Sequence, residues 1–281
     1  MTSVPCIGKA SRCLAALAGA VFFLMAFAPV EAADSVAGRL QAIVDGDHRS
    51  AQHRDRDDDR HPVETLTFFG IEPDMTVVEL WPFGGWYTEI LAPFLKDDGK
   101  LYATILDASE VPGFKRYNGN FRARMQGFPD LYDQVTVTEF SPDSDGDIAP
   151  PGTADMVLSF RHMHEWAWFG VSRDILEKAY RALKPGGVLG LVEHRAKDPE
   201  FVPPRGKGYV GEKYAIELVE SVGFELVAKS DVNNNPKDTK DYLRGIWMLP
   251  PNLYMPKEYR QKYEKIGEPD RFTVKFVKPA E

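Results

Sequence analysis

Five side chains suited to acid–base chemistry fall in two short stretches of this sequence: His162, His164 and Glu165 in RHMHEW, and Glu193 and His194 in LVEH. An imidazole titrates near neutrality, so it can take a proton from a hydroxyl or amine nucleophile or return one to a leaving group. The same histidines and carboxylates are ligands that suit zinc, manganese or iron. A third use is structural, as hydrogen-bonded histidines within loops. His162 and His164 stand two residues apart, and an extended chain would turn them to opposite faces, so both reach one ion only from a turn. Three of the six histidines therefore gather in these two stretches, beside two carboxylates.

What must position them is an alternation of strands and helices. Thr76–Leu80, Leu101–Leu106, Val135–Phe140, Met156–Phe160, Val188–Glu193, Glu225–Ser230 and Phe272–Val277 read as strands, several of them continuously apolar as strands buried on both faces are. Between them, Trp86–Leu95, Val171–Leu183, Glu212–Val222 and Pro256–Ile266 carry helical spacing, and Lys184-Pro185-Gly186-Gly187 reads as a helix stop. Such alternation predicts an α/β fold, a doubly wound and mostly parallel sheet with helices on both faces. Both histidine stretches then follow strands at the carboxyl edge, where sheets of this kind bind ligands.

The N-terminus has a separate character. Lys9 and Arg12 precede an apolar run from Leu14 to Ala28, and Val30-Glu31-Ala32 places compact residues where a signal peptidase cuts, so residues 1–32 are expected to be a signal peptide and the protein periplasmic or secreted. An uncleaved segment of this length would be a membrane anchor, the one membrane contact expected. Cys6 and Cys13, the two cysteines, both lie inside it. Without residues 1–32 the chain keeps 32 basic and 41 acidic side chains, a net charge of −9 against −8 for the whole. An acidic chain without a basic stripe is not expected to bind nucleic acid. Residues 33–61 read as a helical extension, in which the HRDRDDDRHP run lacks the spacing of a calcium loop and reads as an ion-paired helix end. Residues 62–281 form the main domain, with a polar, turn-rich insertion at 231–256 whose Asn233, Asn234, Asn235, Trp247 and Tyr254 would suit a lid over a polar organic ligand.

The stretch VVELWPFGGWYTEIL resembles the first strand and glycine-rich loop of the class I S-adenosylmethionine-dependent methyltransferases. Glu79 matches the acid that ends the family's first strand, Trp81 and Phe83 stand where its first two glycines are usual, and Gly85 stands at the third, with Gly84 beside it. Asp107 closes the second strand 22 residues after Gly85, LKPGGVLGLVEH matches the approach to the fifth strand, and DRFTVKFVKP looks like the family's last, antiparallel strand. The resemblance spans Pro62 to Lys278. More narrowly, the WPFGGWYTE and RHMHEW elements look like a group of exported bacterial proteins described as predicted methyltransferases.

The resemblance implies S-adenosylmethionine as cofactor, with Glu79, Trp81, Phe83, Gly84, Gly85 and Asp107 around it and Asp107 on the ribose hydroxyls. It implies methyl transfer to a small molecule or envelope component, with His162, His164 or His194 as the base. Two other classes stay open beside it: a repurposed fold that binds another ligand, and a metal-dependent enzyme at the histidine edge. Trp81 and Phe83 bear on the choice, because an aromatic ring can attract a sulfonium, fill the space the adenosine needs, or pack beneath the first helix. Nothing in the sequence sets the oligomeric state.

Overall fold

Period-two alternation decides how the strands are buried. Val77 and Met156 face one side of the sheet, Val78 and Val157 the other, and each side has its own core. The computed structural model describes residues 1–2, 35–107, 113–141, 145–202 and 205–280; the export segment expected at 1–32, with its cleavage site and both cysteines, lies outside the described residues beyond the first two.

Seven strands form one sheet: β1 (Thr76–Leu80), β2 (Lys100–Leu106), β3 (Thr136–Phe140), β4 (Ala154–Phe160), β5 (Leu183–His194), β6 (Glu225–Ser230) and β7 (Arg271–Val277). Their order is β3-β2-β1-β4-β5-β7-β6. β1 pairs in parallel with β2 and β4, whereas β7 runs antiparallel between β5 and β6. The expected doubly wound sheet with an antiparallel last strand is thus the observed one. The order reverses direction between β1 and β4, which opens a crevice at their carboxyl ends.

The helices are α1 (Val36–Val44), α2 (Ala51–Arg54), α3 (Asp57–Arg60), α4 (Pro62–Phe69), α5 (Thr88–Leu95), α6 (Phe114–Gly127), α7 (Pro129–Tyr132), α8 (Met163–Phe169), α9 (Ser172–Ala182), α10 (Glu212–Glu220) and α11 (Lys257–Glu264). α1 joins the main core, with Leu40 and Val44 packed among Leu66, Val77 and Ile90. The extension therefore belongs to the same packed body as the sheet. α9 ends at Ala182, within one residue of the expected stop, but Lys184–Gly187 already form the irregular start of β5, which was expected to begin at Val188. Gly186 takes φ 78°, the register against β4 shifts between Ala154 and Met156, and hydrogen bonds between Gly186 or Gly187 and Lys278 tie the bulged stretch to the end of β7.

Candidate functional site

β4 hands its chain to the site through a strained turn. Arg161 follows Phe160 with left-handed backbone (φ 69°), a conformation costly for any residue with a Cβ, and its N–H donates to Val192 O on the neighbouring strand. His162 then occupies the cap position of α8. The turn brings His162 and His164 to one cavity despite their spacing of two, and His194, at the end of β5, joins them there.

Each imidazole has its own environment. His164 Nδ1 lies 3.1 Å from Glu193 Oε1, and because a carboxylate only accepts, Nδ1 carries the proton and Nε2 is left for a ligand. Glu193 is buried and also accepts from the backbone N–H groups of His164 and His194. Burial works against charge on His164, but the Glu193 carboxylate raises its pKa by charge and hydrogen bond together. Burial likewise opposes ionised Glu193, and His164 and the two N–H groups hold its pKa below the usual value. His162 pairs instead with Glu165 at 3.0 Å, and burial lowers its pKa in spite of that partner. Burial and the charge on His164 push His194 down furthest, so its ring is neutral, with a buried Nδ1 that finds no partner. Because the histidines pair with different carboxylates, no group of three metal-ligating side chains converges among the described residues.

The cavity holds about 400 Å³. One wall is aromatic: Phe83, Tyr117 and Phe160, with Trp247 and Tyr254 stacked 6.1 Å apart at an interplanar angle of 13°. Trp247 and Tyr254 of the expected lid reach the site, together with Ile246, Pro250, Pro251 and Asn252 of the same insertion. Asn233 and Asn235 instead brace the fold: Asn233 donates to Thr65 and Thr273, and Asn235 to the carbonyls of Ile266 and Glu268, while Asn234 bonds to Asp231. Arg56, Arg60 and Arg161 also line the cavity, with Glu268. Sequence reading missed these guanidinium groups, since Arg56 and Arg60 come from one segment, Arg161 from another and Glu268 from a third, and no spacing signals their convergence. The HRDRDDDRHP run is ion-paired as expected, through the bidentate Arg49–Asp57 contact, yet its Arg60 is turned inward and buried.

The loop after β1 keeps the backbone of a glycine-rich loop without most of the glycines. Trp81, Phe83 and Gly85 all take positive φ, at 53°, 45° and 76°. At Gly85 an added Cβ would come within 3.4 Å of Arg124 and 3.5 Å of Phe121, while Gly84 has open space around it. The Trp81 ring is 3% exposed and packs against Phe83, Phe114, His162 and Trp166 at centroid distances of 5.7 to 6.3 Å. Phe83 stacks on Phe114 at 5.6 Å. Between this loop and the Leu106 end of β2 the described residues leave about 10 Å³, room for about one water and far too little for an adenosine. The aromatic rings thus occupy the route by which a cofactor at the β1 loop would reach Asp107, which sits half-buried just past β2. In this conformation the residues do not fit S-adenosylmethionine in the way the resemblance implies.

Glu79 is buried at the end of β1 and accepts from Thr88 Oγ1 at 2.6 Å. Burial raises its pKa from 4.5 to about 7, against the pull of Thr88 and Arg161. The folded state thus holds this proton where the unfolded chain has lost it, and stability falls as pH rises from about 4.5 to about 7, by about 3 kcal/mol in all. Glu79→Gln, which still accepts from Thr88, is expected to match the parent in denaturant melts at pH 4 and exceed it by up to that amount at pH 8. Equal stability at pH 8 would contradict a buried, proton-retaining carboxyl.

No protein-family model and no curated protein sequence matches this chain. Its structure is similar to a SAM-dependent methyltransferase from Aquifex aeolicus, 16% identical over 86% of this chain and 98% of that one, with a TM-score of 0.55. It is also similar to the cyclase SpnF (14% identity, 88% and 94% covered, TM-score 0.57) and to the glycopeptide N-methyltransferase MtfA solved with sinefungin (15% identity, 79% and 94% covered, TM-score 0.51). At these identities the likeness is one of fold. The chain has the fold of the class I S-adenosylmethionine-dependent methyltransferases, and a cyclase among its structural neighbours shows that the fold is not tied to one reaction.

Proposed function

We propose that this chain works on an organic small molecule held in the cavity at the β1/β4 crevice, with His164 as its acid–base group, on a methyltransferase framework whose adenosine crevice is closed. The observation that carries this is the cluster of Trp81, Phe83 and Phe114 standing in the crevice between the β1 loop and β2. Glu193 fixes the His164 ring and favours its protonated form, so His164 can hold a proton at Nε2 for a bound ligand and take it back. The aromatic wall supplies apolar contact and excludes water, which strengthens every charged interaction inside the cavity.

An exported location belongs to the same proposal. S-adenosylmethionine is made in the cytosol, and a chain carried across the membrane by residues 1–32 would leave it behind. Finding only the full-length chain, in the cytosolic fraction of its cells, would count against that part.

Methyl transfer from S-adenosylmethionine to a small molecule is the second reading. The methyltransferases among the structural neighbours and the glycine-like backbone at positions 81, 83 and 85 favour it. It requires the aromatic rings to leave the crevice. Phe83→Gly separates the two: glycine accepts φ 45° without strain and removes the ring that stacks on Phe114. If the crevice is plugged, this variant gains affinity for S-adenosylhomocysteine that the parent lacks, read by equilibrium dialysis. If the parent already binds it and Phe83→Gly binds no better, the plug is not one.

A further inference from the structure

Four guanidinium groups act on one carboxylate, Glu268, which lines the cavity. Glu268 Oε1 accepts from Arg56 Nε at 2.5 Å, and Glu268 Oε2 lies 3.1 Å from Arg60 Nε and 2.7 Å from Arg271 Nη2. Arg161 stands in the same field without a partner: its guanidinium makes no hydrogen bond or ion pair among the described residues, although it lines both the main cavity and a smaller space of about 160 Å³ beside Glu79. Arg60 is 3% exposed, and its Nη1 is buried without a hydrogen-bond partner.

The other charged groups do not cancel this surplus. Glu193 is balanced by His164; Glu165 bonds to the neutral His162 and offsets one positive charge, and Glu79, beside Arg161, ionises only around pH 7, so the surplus is reduced but stays positive. Guanidinium groups are costly to bury unless paired, so an arrangement of four against one carboxylate is unbalanced without a further anion. Burial and the neighbouring Arg271 press on Arg161 enough to lower its pKa to about 10, the same imbalance expressed as acidity. Its left-handed backbone adds strain at the same residue, and strain retained at a cavity wall is a mark of function.

We propose that the cavity recognises an organic oxyanion, a carboxylate or phosphate ester, whose charged head is held by Arg161 and the free edge of Arg60 and whose body lies on Phe83, Trp247 and Tyr254. Forked N–H donors match the two oxygens of such a head, and the 400 Å³ volume suits a small aromatic or aliphatic body. The head would complete the charge balance that Glu268 leaves open. His164, on the same cavity, would then face the body of the ligand rather than its head. This inference rests on the proposed use of the cavity as the ligand site, and not on whether the adenosine crevice is closed.

The test is calorimetric titration of the purified chain at pH 7.5 with benzoate, phenyl phosphate, inorganic phosphate and the neutral benzamide, with S-adenosylhomocysteine titrated in parallel. Benzoate or phenyl phosphate is expected to bind one to one and to weaken with added salt, and benzamide to bind at least tenfold more weakly. The stronger of the two aromatic anions identifies the head group, and inorganic phosphate shows how much the head contributes alone. Arg161→Asn, which tolerates the left-handed backbone, should cost at least tenfold in anion affinity while the melting temperature holds or rises. No saturable anion binding, equal binding of benzamide, or undiminished binding by a folded Arg161→Asn variant overturns the proposal. Anion binding together with S-adenosylhomocysteine binding would support it while overturning the closed crevice; absence of both would do the reverse.

Discussion

Glu268→Gln is expected to destabilise the protein by about 3–5 kcal/mol at neutral pH, the usual cost of leaving buried charges without their counter-ion. The substitution keeps the size of the side chain and removes the one negative charge shared by Arg56, Arg60 and Arg271, of which Arg60 and Arg271 are all but fully buried. Burial by itself would raise the Glu268 pKa; Arg60, Arg271 and Arg56 overcome it and hold the carboxyl far below the usual carboxylate range. With the folded pKa depressed, the stabilisation is complete above the unfolded value near 4.5 and is lost as pH falls toward the folded one. The gap between parent and variant in urea melts should therefore be full at pH 7 and shrink below about pH 4.5. A gap under about 1 kcal/mol at pH 7 would mean that the guanidinium cluster is balanced by something other than Glu268.

Trp81 should show two opposed effects at one position. Removing its ring from among Phe83, Phe114, His162 and Trp166 costs about 3–5 kcal/mol as lost burial and an unfilled hole. No hydrogen bond is forfeited, since its buried indole Nε1 has no partner. Its backbone, however, sits at φ 53°, where any Cβ costs about 1 kcal/mol or more. Trp81→Ala keeps that strain and Trp81→Gly relieves it, so both variants are expected to be less stable than the parent and the glycine variant the more stable of the two. An alanine variant equal to or better than the glycine variant in the same melts would mean that the left-handed loop does not persist once the ring is gone.

These residues also mark how far the sequence could be read. Strands were legible as short runs bounded by turn residues: buried β1 and the half-exposed edge strand β6 were both read to the residue, and the carboxyl edge that carries His162, His164 and His194 followed from the alternation of elements. Helices α6 and α8 were not read. α6 carries few apolar residues beyond Phe114 and Phe121, and α8 is a seven-residue turn dense in aromatics, without a helical stripe. Lys184–Gly187 marked the end of α9 to within a residue, but not that the same residues begin β5, because the hydrogen bonds with Lys278 that make them part of the strand lie some ninety residues away.

At the site, residue types and strand ends pointed to the histidines, but not to their separate partners, which depend on the turn at Arg161. That turn puts His164 on Glu193 and His162 on Glu165. The aromatic substitutions at positions 81 and 83 were visible as departures from a glycine-rich loop. Whether they open or fill the crevice was not, because that depends on where the rings point, and here they point into Phe114. The arginine cluster had no local signal at all. Arg60 follows an acidic run that explains it as a surface ion pair, and Glu268 reaches it from the last turn before β7, more than two hundred residues on.

The closed crevice is tested most directly by calorimetric titration of the unaltered protein with S-adenosylhomocysteine, with S-adenosylmethionine under matched conditions. With Trp81, Phe83 and Phe114 packed as they are, the expected result is no heat of binding and no thermal stabilisation by either ligand. One-to-one binding in the micromolar range would contradict it, and would mean that the aromatic loop opens to admit the cofactor for which the fold is best known.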